Sequence, residues 1–578
     1  MNKTKFGSLL LLLQGILLIL FVVFVDYGDD FKPNIKNENR KDFNQKLPAF
    51  QDLHIMVFLG FGLIMTFLKR YSRGMLVHAF LIGGLVIQWA TLLQGFFSMR
   101  QSKVELTLDR MINADYAVLV VLVSLGALIG KVNSLQLLII ALIETIFFAI
   151  NESLCKQLLQ ISDFGQSMTV HLFGAIFGIA ISRMIFDKRV CTSQALSTSN
   201  KSEMYSMIGT LFLWIYFPSL NSAFVEEDSA HRRAIANTYY ALAASCITSF
   251  SLTVLQSPDH RYNILHLQNA TITGGIAIGS VAALMVRPWG AIILGVLASL
   301  ISILTYKYIL PKLRRRFNIH DVRGVYATHG MPGIVSGLAA VVCAFLANEE
   351  HYGTSLYQLY PARVPSSNTT KYQDLIKIHP EIPASQGRSA YIQGAYQFGG
   401  LLVTVILALI GGLISGASIR VKFFEPLTAH DAFDDHADFQ ESTCIDVYTD
   451  DDFEDDGERH HDSIRGNKRL YDLNHRHPSD DVISGDGIPQ MTSYNSGRQT
   501  PSSVRHSYHS LSAKSSDGVI KGSRELPVDD NENVKGGKVN LGSNGDMRPA
   551  QNGGIEMTPL IVVADNSDVD DDGTAATS

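Results

Sequence analysis

Two histidines lie inside long apolar segments of this chain, and their surroundings are alike. Each is followed by two small residues about one helical turn apart: His171 by Gly174 and Gly178, and His329 by Gly333 and Gly337. A polar side chain in a membrane-spanning helix is costly, so by default it marks a pathway, a proton relay or a binding site. One such histidine in each half of the apolar region predicts a site at the interface of an internal repeat.

The spacing of the glycines suggests how the two imidazoles would meet. Small residues at this interval let helices pack closely within a membrane. A tight seam with one ring from each half would bring His171 and His329 within hydrogen-bonding reach. A neutral imidazole has one donor and one acceptor, so two rings can satisfy each other in an apolar passage. The alternative is two unrelated histidines, each bonded to a backbone carbonyl.

Two acidic residues near the first histidine each have two interpretations. Asp163 lies eight residues before His171. Its carboxylate is predicted to cap the histidine helix, and the alternative is a cation-attracting group at a pore mouth. Glu152 lies near the outer end of the preceding helix. It would lower the energy of an approaching cation, or else it is an ordinary solvated acid at the interface.

The composition predicts an integral membrane protein. The 578 residues are 47% hydrophobic and 18% charged, but apolar stretches fill the chain to about residue 416 and are rare beyond residue 420. Segments such as 53–68, 75–99 and 289–310 can cross a hydrocarbon layer of ~30 Å. The run at 9–25 follows two lysines, as in a secretory signal. It is long for a signal and lacks a clear cleavage site, so we interpret it as a retained first helix.

Apolar runs between polar breaks predict an all-α membrane domain of about twelve transmembrane helices over residues 1–418. Blocks 52–185 and 205–347 hold five helices each, and an odd number per block requires inverted topology. The basic connections at 69–73 and 312–316 place both termini in the cytoplasm of a multi-pass cell-membrane protein. The predicted helices are 8–27, 52–69, 75–98, 113–130, 134–150, 166–185, 205–222, 234–255, 264–286, 289–310, 323–347 and 391–418.

The polar segments outside the helices carry two further predictions. Asn368 begins an Asn-Thr-Thr tripeptide in the outer loop at 348–390, and it is a candidate for N-glycosylation. Residues 419–578 are acidic and poor in large aliphatic residues. They are predicted to form a disordered cytoplasmic tail, because such a segment cannot bury enough apolar surface to offset its ordering entropy. The tail would be either a regulatory docking segment or a solvated extension without a partner.

Other classes of site find little support in the composition. The five cysteines have no metal-ligand spacing and no evident disulfide pattern. No basic cluster is interleaved with aromatic residues, which argues against a nucleic-acid partner. We therefore predict no metal, no cofactor and no enzymatic activity.

At these residues the chain resembles the ammonium transporter/Rhesus glycoprotein family, and its animal Rhesus-type branch in particular. The resemblance spans residues 8–418, and the tail lies outside it. The stretches that carry it form a long ordered set: His-Ile-Met-Val-Phe-Leu-Gly-Phe-Gly at 54–62, Ile-Gln-Trp-Ala at 87–90, Ile-Asn-Ala-Asp at 112–115, Ser-Met-Thr-Val-His at 167–171, Gly-Thr-Leu-Phe-Leu-Trp at 209–214, His-Leu-Gln-Asn-Ala-Thr at 266–271 and His-Gly-Met-Pro-Gly at 329–333.

The resemblance implies a homotrimer in which each subunit has its own narrow pore with twin histidines. It also implies an acid before the first histidine helix and a vestibule acid, which Asp163 and Glu152 match. Two phenylalanines usually gate the outer pore of such proteins, and the matching positions here are Tyr116 and Leu220. This departure puts the tightness of the gate in doubt. Two further departures are Arg323, where relatives often have a small residue, and Asn263, where an acid is common.

Together these features predict transport of ammonia or ammonium through a hydrophobic pore lined by the two histidines. Ammonium would lose its proton in a vestibule, and neutral ammonia would pass the imidazoles. Carbon dioxide is a second cargo that the residues neither favour nor exclude. The alternatives are an electrogenic ammonium carrier, a haem-binding membrane oxidoreductase with histidine ligands, and a transport-inactive membrane scaffold. Only one histidine pair is found, which argues against haem, and retention of both histidines argues against the scaffold.

Overall fold

The computed structural model describes residues 3–33, 37–99 and 101–439. Helices dominate, and these residues belong to one compact unit. The long helices are α1 Lys3–Phe24, α2 Asn37–Ile55, α3 Ser72–Phe96, α4 Leu108–Gly126, α5 Ser134–Ser153, α6 Phe173–Met184, α7 Asn200–Ser222, α8 Asp228–Gln256, α9 Ile264–Gly279, α10 Pro288–Leu304, α11 Met331–Leu346 and α12 Ala390–Ser418.

Short elements extend or connect these helices. π-helical turns adjoin five of them, at Met56–Phe61, Leu154–Leu158, Ser167–Leu172, Thr305–Ile309 and Tyr326–Gly330. Further short helices are Gly62–Ile64, Lys188–Cys191, Leu310–Phe317, Glu349–Tyr352, Ser355–Leu359 and Thr370–Ile378. Single 3-10 turns occur at Asp29–Phe31, Pro361–Arg363, Lys422–Phe424 and His436–Asp438. The two strands, β1 Val25–Tyr27 and β2 Val104–Leu106, pair in parallel.

The prediction of about twelve spanning helices is confirmed. Within the described residues, nine helices are long and apolar enough to cross a membrane by length and composition alone. Helices α4, α7 and α9 complete the set of twelve. These three are not among the nine because α4 and α7 begin with polar and charged residues and α9 has only 16 residues. Helix α1 is among these nine; side chains such as Leu11 and Val22 are exposed, whereas Leu17 is buried against the rest of the unit.

The two histidine helices are built alike, although they lie in different halves of the chain. Each begins with a π-helical turn that contains the histidine, Ser167–Leu172 before α6 and Tyr326–Gly330 before α11. A π-helical turn is rare and is found most often at functional sites. The extra residue in the turn changes the direction of the side chains that follow it. The parallel construction is what an internal repeat predicts.

Glycine contacts hold α6 against α4 without a side-chain layer between them. A Cβ atom at Gly178 would lie 2.5 Å from the carbonyl oxygen of Ser124, and one at Gly174 would lie 2.7 Å from that of Val120. The backbones therefore approach as closely as small residues permit. Beside this contact, the Ser124 hydroxyl and the Glu144 carboxyl group are 2.5 Å apart. Ser124 thus supplies the partner that the buried Glu144 of α5 requires.

Residues after α12 pack against the face that carries the basic loops. The Phe433 amide donates to the Gly130 carbonyl at 2.9 Å, and the Phe433 ring is fully buried. The Asp435 carboxylate accepts from the Gly74 amide at 2.6 Å, at the beginning of α3. Asn133 donates to the carbonyls of Phe424 and Glu425. The part of the predicted tail that follows residue 439 lies outside the described residues, and its disorder stays a prediction.

The close approach of α6 and α4 leads to a stability prediction. Gly178→Ala should lower the free energy of unfolding by about 1–3 kcal/mol, because the added methyl group meets main-chain atoms that cannot rotate away. The melting temperature of purified protein in detergent measures this effect. Gly84→Ala is the matched control, since a Cβ atom there meets nothing within 4 Å. Equal melting temperatures for the two variants would contradict the packing argument.

Candidate pore and its histidine pair

The two histidines predicted to meet do so. Nδ1 of His171 lies 3.2 Å from Nδ1 of His329, and the ring centroids are 5.2 Å apart with the planes inclined by 21°. Both residues are buried. A bond between two Nδ1 atoms requires one to donate and the other to accept. The pair then presents one Nε2 as an acceptor and the other as an N–H donor.

Aromatic rings enclose this pair on both sides. The Phe217 ring stacks on His171 with centroids 5.9 Å apart, and the Phe61 ring lies 6.0 Å from His329. Nε2 of His171 is buried and has no hydrogen-bond partner among the described residues. An apolar surround with such an unpaired polar atom suits a small neutral molecule that can form a hydrogen bond. It offers a cation no compensating charge.

One cavity lies at the beginning of each histidine helix. The outer cavity, of about 270 Å³, is lined by residues that include Lys156, Asp163, Gln166 and Phe224. The inner cavity, of about 20 Å³, is lined by His329, Arg323, Asn269 and Thr328 together with apolar side chains. A volume of this size holds about one water molecule. The two histidine helices therefore begin at opposite ends of the passage, as inverted repeats would arrange them.

Asp163 makes the hydrogen bonds of a helix cap. Its carboxylate accepts from the Thr169 amide and hydroxyl at 2.9 Å each, from the Met168 amide at 3.2 Å, and from the Ser280 hydroxyl at 2.6 Å. Amide donors at a helix N-terminus stabilise an anionic group there. Asp163 also lines the outer cavity. The geometry is therefore compatible both with a helix cap and with a cation-attracting group at a pore mouth.

Asp321 is an equivalent acid that the sequence interpretation missed. Its carboxylate accepts from the amides of Gly324, Val325 and Tyr326 at 2.9 Å each. Asp321 lies eight residues before His329, the same interval that separates Asp163 from His171. That repeated interval was the available signal. The two halves thus position their histidines by the same device.

The residues at the predicted outer gate are only partly arranged as expected. Tyr116 stacks on Phe224, with ring centroids 5.4 Å apart and planes inclined by 29°. The Tyr116 hydroxyl donates to the Leu220 carbonyl at 2.5 Å. Leu220 therefore contacts Tyr116 through its main chain, and the second aromatic ring comes from Phe224, one turn further along. A matched position in the sequence could not reveal this exchange, because it depends on how the chain turns after α7.

Glu152 lies beside the outer cavity and is already paired. Its carboxylate contacts the Lys156 ammonium at 2.7 Å and accepts from the Gln94 amide at 2.7 Å. The same ammonium lies 5.1 Å from the centroid of the Phe224 ring. Asn368 concerns a separate prediction, that of N-glycosylation. It is exposed immediately before the helix Thr370–Ile378, and its glycosylation stays a prediction.

A second pair of polar side chains, formed by a histidine and an aspartate, was not predicted from the sequence. His54 of α2 and Asp115 of α4 are joined by contacts of 3.1 and 3.2 Å between the imidazole Nδ1 and the carboxylate. Asp115 precedes Tyr116, so the contact fixes the part of α4 that carries the outer ring.

Comparison with known proteins shows which family has this sequence and this architecture. The model of the Ammonium Transporter Family matches residues 16–434. The chain belongs to the ammonium transporter family. It is 37% identical over 430 residues to the ammonium transporter Rh type B of Danio rerio, an alignment covering 73% of this chain and 90% of the relative. It is 37% identical over 438 residues to the Rh type B transporter of Rattus norvegicus, covering 74% and 91%. The Rhesus-type resemblance is thereby confirmed.

Two solved structures share the fold of this chain. Rh50 of Nitrosomonas europaea matches with a TM-score of 0.56 at 24% identity, covering 76% of this chain and 98% of that one. Mep2 of Saccharomyces cerevisiae matches with a TM-score of 0.53 at 16% identity, covering 70% and 93%. At these identities the matches establish the fold alone. The all-α, multi-pass membrane architecture is confirmed.

The two capping acids lead to a prediction. Asp163→Ala and Asp321→Ala should each lower the free energy of unfolding by about 2 kcal/mol, because each removes a charged acceptor from three or more buried donors. Thermal melting in detergent measures the loss. Asp374→Ala is the control, since this exposed acid contacts only Lys377 among the described residues. A melting temperature unchanged in both capping variants would refute the proposed caps.

Proposed function

We propose that this chain, a transporter of the ammonium family, conducts ammonia as the neutral gas through a passage lined by His171 and His329. The observation that carries the proposal is the 3.2 Å contact between their Nδ1 atoms inside an aromatic enclosure. A pair of rings that satisfy each other needs no charge to be stable in an apolar interior. Ammonia can donate to one Nε2 and accept from the other as it passes.

The apolar enclosure supports neutral cargo over the ion. Removing the hydration shell of ammonium in a passage lined by Phe61, Phe217 and aliphatic side chains is far more costly than removing that of ammonia. Among the described residues, no carboxylate contacts either imidazole. An ion would therefore lack a counter-charge at the narrowest point. The electrogenic carrier is the alternative that current measurements distinguish.

The outer cavity is where we propose that ammonium gives up its proton. Asp163 and the Phe224 ring line this cavity, and Glu152 lies beside it. Aromatic faces and carboxylates both attract an ammonium group. The Lys156 side chain already holds an ammonium group 5.1 Å from the Phe224 ring and 2.7 Å from Glu152. The Lys156 ammonium thus occupies the position beside Glu152 and Phe224 where the substrate cation would bind, and it competes with that cation.

Three further features belong to the proposal. Carbon dioxide, which is also uncharged, would be a second cargo of the same passage. The resemblance to Rhesus-type proteins implies a homotrimer, which the mass of the protein in detergent would test. Exposure of Asn368 supports an N-glycan in the outer loop.

Replacing either histidine tests the passage itself. His171→Ala and His329→Ala should each reduce ammonia flux about tenfold or more, because each leaves the remaining imidazole without its buried partner. Stopped-flow alkalinisation of proteoliposomes that contain a pH-sensitive dye measures the flux. His351→Ala, at an exposed histidine of the outer loop, is the control. Flux at the unaltered level in both pore variants would rule out the histidine-lined route.

Replacing the tethered ammonium group tests the vestibule. Lys156→Met should lower the half-saturating concentration of methylammonium about threefold or more, because the Glu152 carboxylate becomes available to the substrate cation. Uptake of labelled methylammonium over a range of concentrations measures it. Lys156→Arg retains the charge and should behave as the unaltered protein. Lys371→Met removes a second outer lysine that is paired elsewhere, with Glu349. An unchanged concentration dependence in Lys156→Met would show that ammonium is not collected there.

A further inference from the structure

An arginine lies at the inner end of the passage, directly below the histidine pair. Arg323 is only 4% exposed, and it lines the inner cavity together with His329, Phe61 and Thr328. In the proposed function, a cargo that leaves His329 toward the inner face enters this cavity. A buried guanidinium at such a place requires an explanation, because arginine is seldom buried without a partner.

Neighbouring side chains hold the guanidinium in place. Its Nη2 donates to Gln268 Oε1 at 3.1 Å, and its Cζ lies 4.9 Å from the centroid of the Phe67 ring. Gln268 is fixed in turn, since its Oε1 accepts from the Ser206 hydroxyl at 2.9 Å and its amide donates to the Glu203 carbonyl at 3.1 Å. The charge therefore has a defined position.

The charge of Arg323 has no counter-ion in the described part of the chain. None of the ion pairs there involves it, and its Nη1 is buried without a hydrogen-bond partner. Asp321, two residues away, directs both carboxylate oxygens at the amides of its own helix. An arginine guanidinium stays protonated in proteins at neutral pH. The inner mouth thus carries an uncompensated positive charge.

We propose that Arg323 determines specificity, as a fixed cation that excludes ammonium and alkali ions from the inner mouth of the passage. This inference rests on the proposed function, in which the cargo crosses as a neutral gas. A unit charge in a poorly hydrated cavity raises the energy of any second cation nearby, and it leaves a neutral molecule almost unaffected. Anions attracted to it find no charge beyond it, because the histidines and Phe61 follow.

A purely structural role for the side chain is the competing explanation. The main chain of Arg323 does support the inner mouth, since its carbonyl accepts from Asn269 and from Tyr306 at 2.9 Å each. Those bonds do not involve the guanidinium. A variant at this position can therefore keep the backbone contacts and lose only the charge. Arg323→Gln and Arg323→Met remove the charge, whereas Arg323→Lys retains it and loses the planar stacking on Phe67.

The experiment compares charge movement with gas flux in the same proteoliposomes. Ammonia flux is measured by stopped-flow alkalinisation, and charge movement is measured on a solid-supported membrane after a jump in ammonium or potassium concentration. We expect the unaltered protein to move no charge above the background of protein-free liposomes, and we expect Arg323→Gln and Arg323→Met to raise the charge moved per ammonia delivered about tenfold above that background. Arg323→Lys should keep the ratio of the unaltered protein. Arg316→Gln, at an exposed arginine on the same face, is the control and should also leave it unchanged.

Each other outcome is decisive. The proposal is wrong if the ratio stays constant in both uncharged variants, or if it rises equally in Arg323→Lys. It is also wrong if both uncharged variants lose ammonia flux, because Arg323 is then a structural residue. A current in the unaltered protein would overturn neutral-gas conduction. That test uses the unaltered protein alone, so its failure is distinguishable from a failure of the Arg323 proposal. A further rise in Arg323→Gln would then still support the electrostatic role.

Discussion

The architecture of this transporter depends on one hydrogen bond between two imidazoles in the interior of a membrane protein. Neither imidazole has another hydrogen-bond partner among the described residues, so the two Nδ1 atoms satisfy each other, and Nε2 of His171 stays unpaired. Without that contact, each half of the chain would carry a buried polar group that no neighbour compensates. The contact requires ring positions accurate to a few tenths of an ångström. Much of the surrounding structure serves to provide that accuracy.

The accuracy comes from placing both helices by equivalent devices. A carboxylate eight residues earlier caps each helix, and a π-helical turn then directs each histidine into the passage. Glycine contacts set how close the helices come, as at Gly178 against α4 and at Gly333, where a Cβ atom would lie 2.8 Å from the Ser167 carbonyl oxygen. A shift of either helix would separate the rings. Equivalent construction in the two halves is thus a mechanical requirement of the pair.

The sequence predicts the helices and the histidine pair well because both leave local signals. Apolar runs of spanning length mark the helices, and a histidine followed by small residues marks each half. The contacts that complete the site leave weaker signals. Phe224 takes the place expected for Leu220 because the chain turns after α7 in a way that no local pattern specifies. Asp321 is found in the sequence only when the intervals before the two histidines are compared, and the contact between His54 and Asp115 joins segments that lie far apart in the chain.

The distribution of charge along the passage is asymmetric in a way that suits a gas. At the outer end the Lys156 ammonium is neutralised by Glu152, so an arriving cation meets a carboxylate and an aromatic face as well as a competitor. At the inner end the Arg323 charge has no such partner in the described part of the chain. In the function proposed above, ammonium entering from outside is collected and loses its proton, and ammonium approaching from inside is repelled. A neutral molecule experiences neither effect. A fixed charge changes the energy of ions, whereas the equilibrium of an uncharged cargo depends only on its concentrations. The passage can thus treat ammonium differently at its two ends and remain equally open to ammonia in both directions.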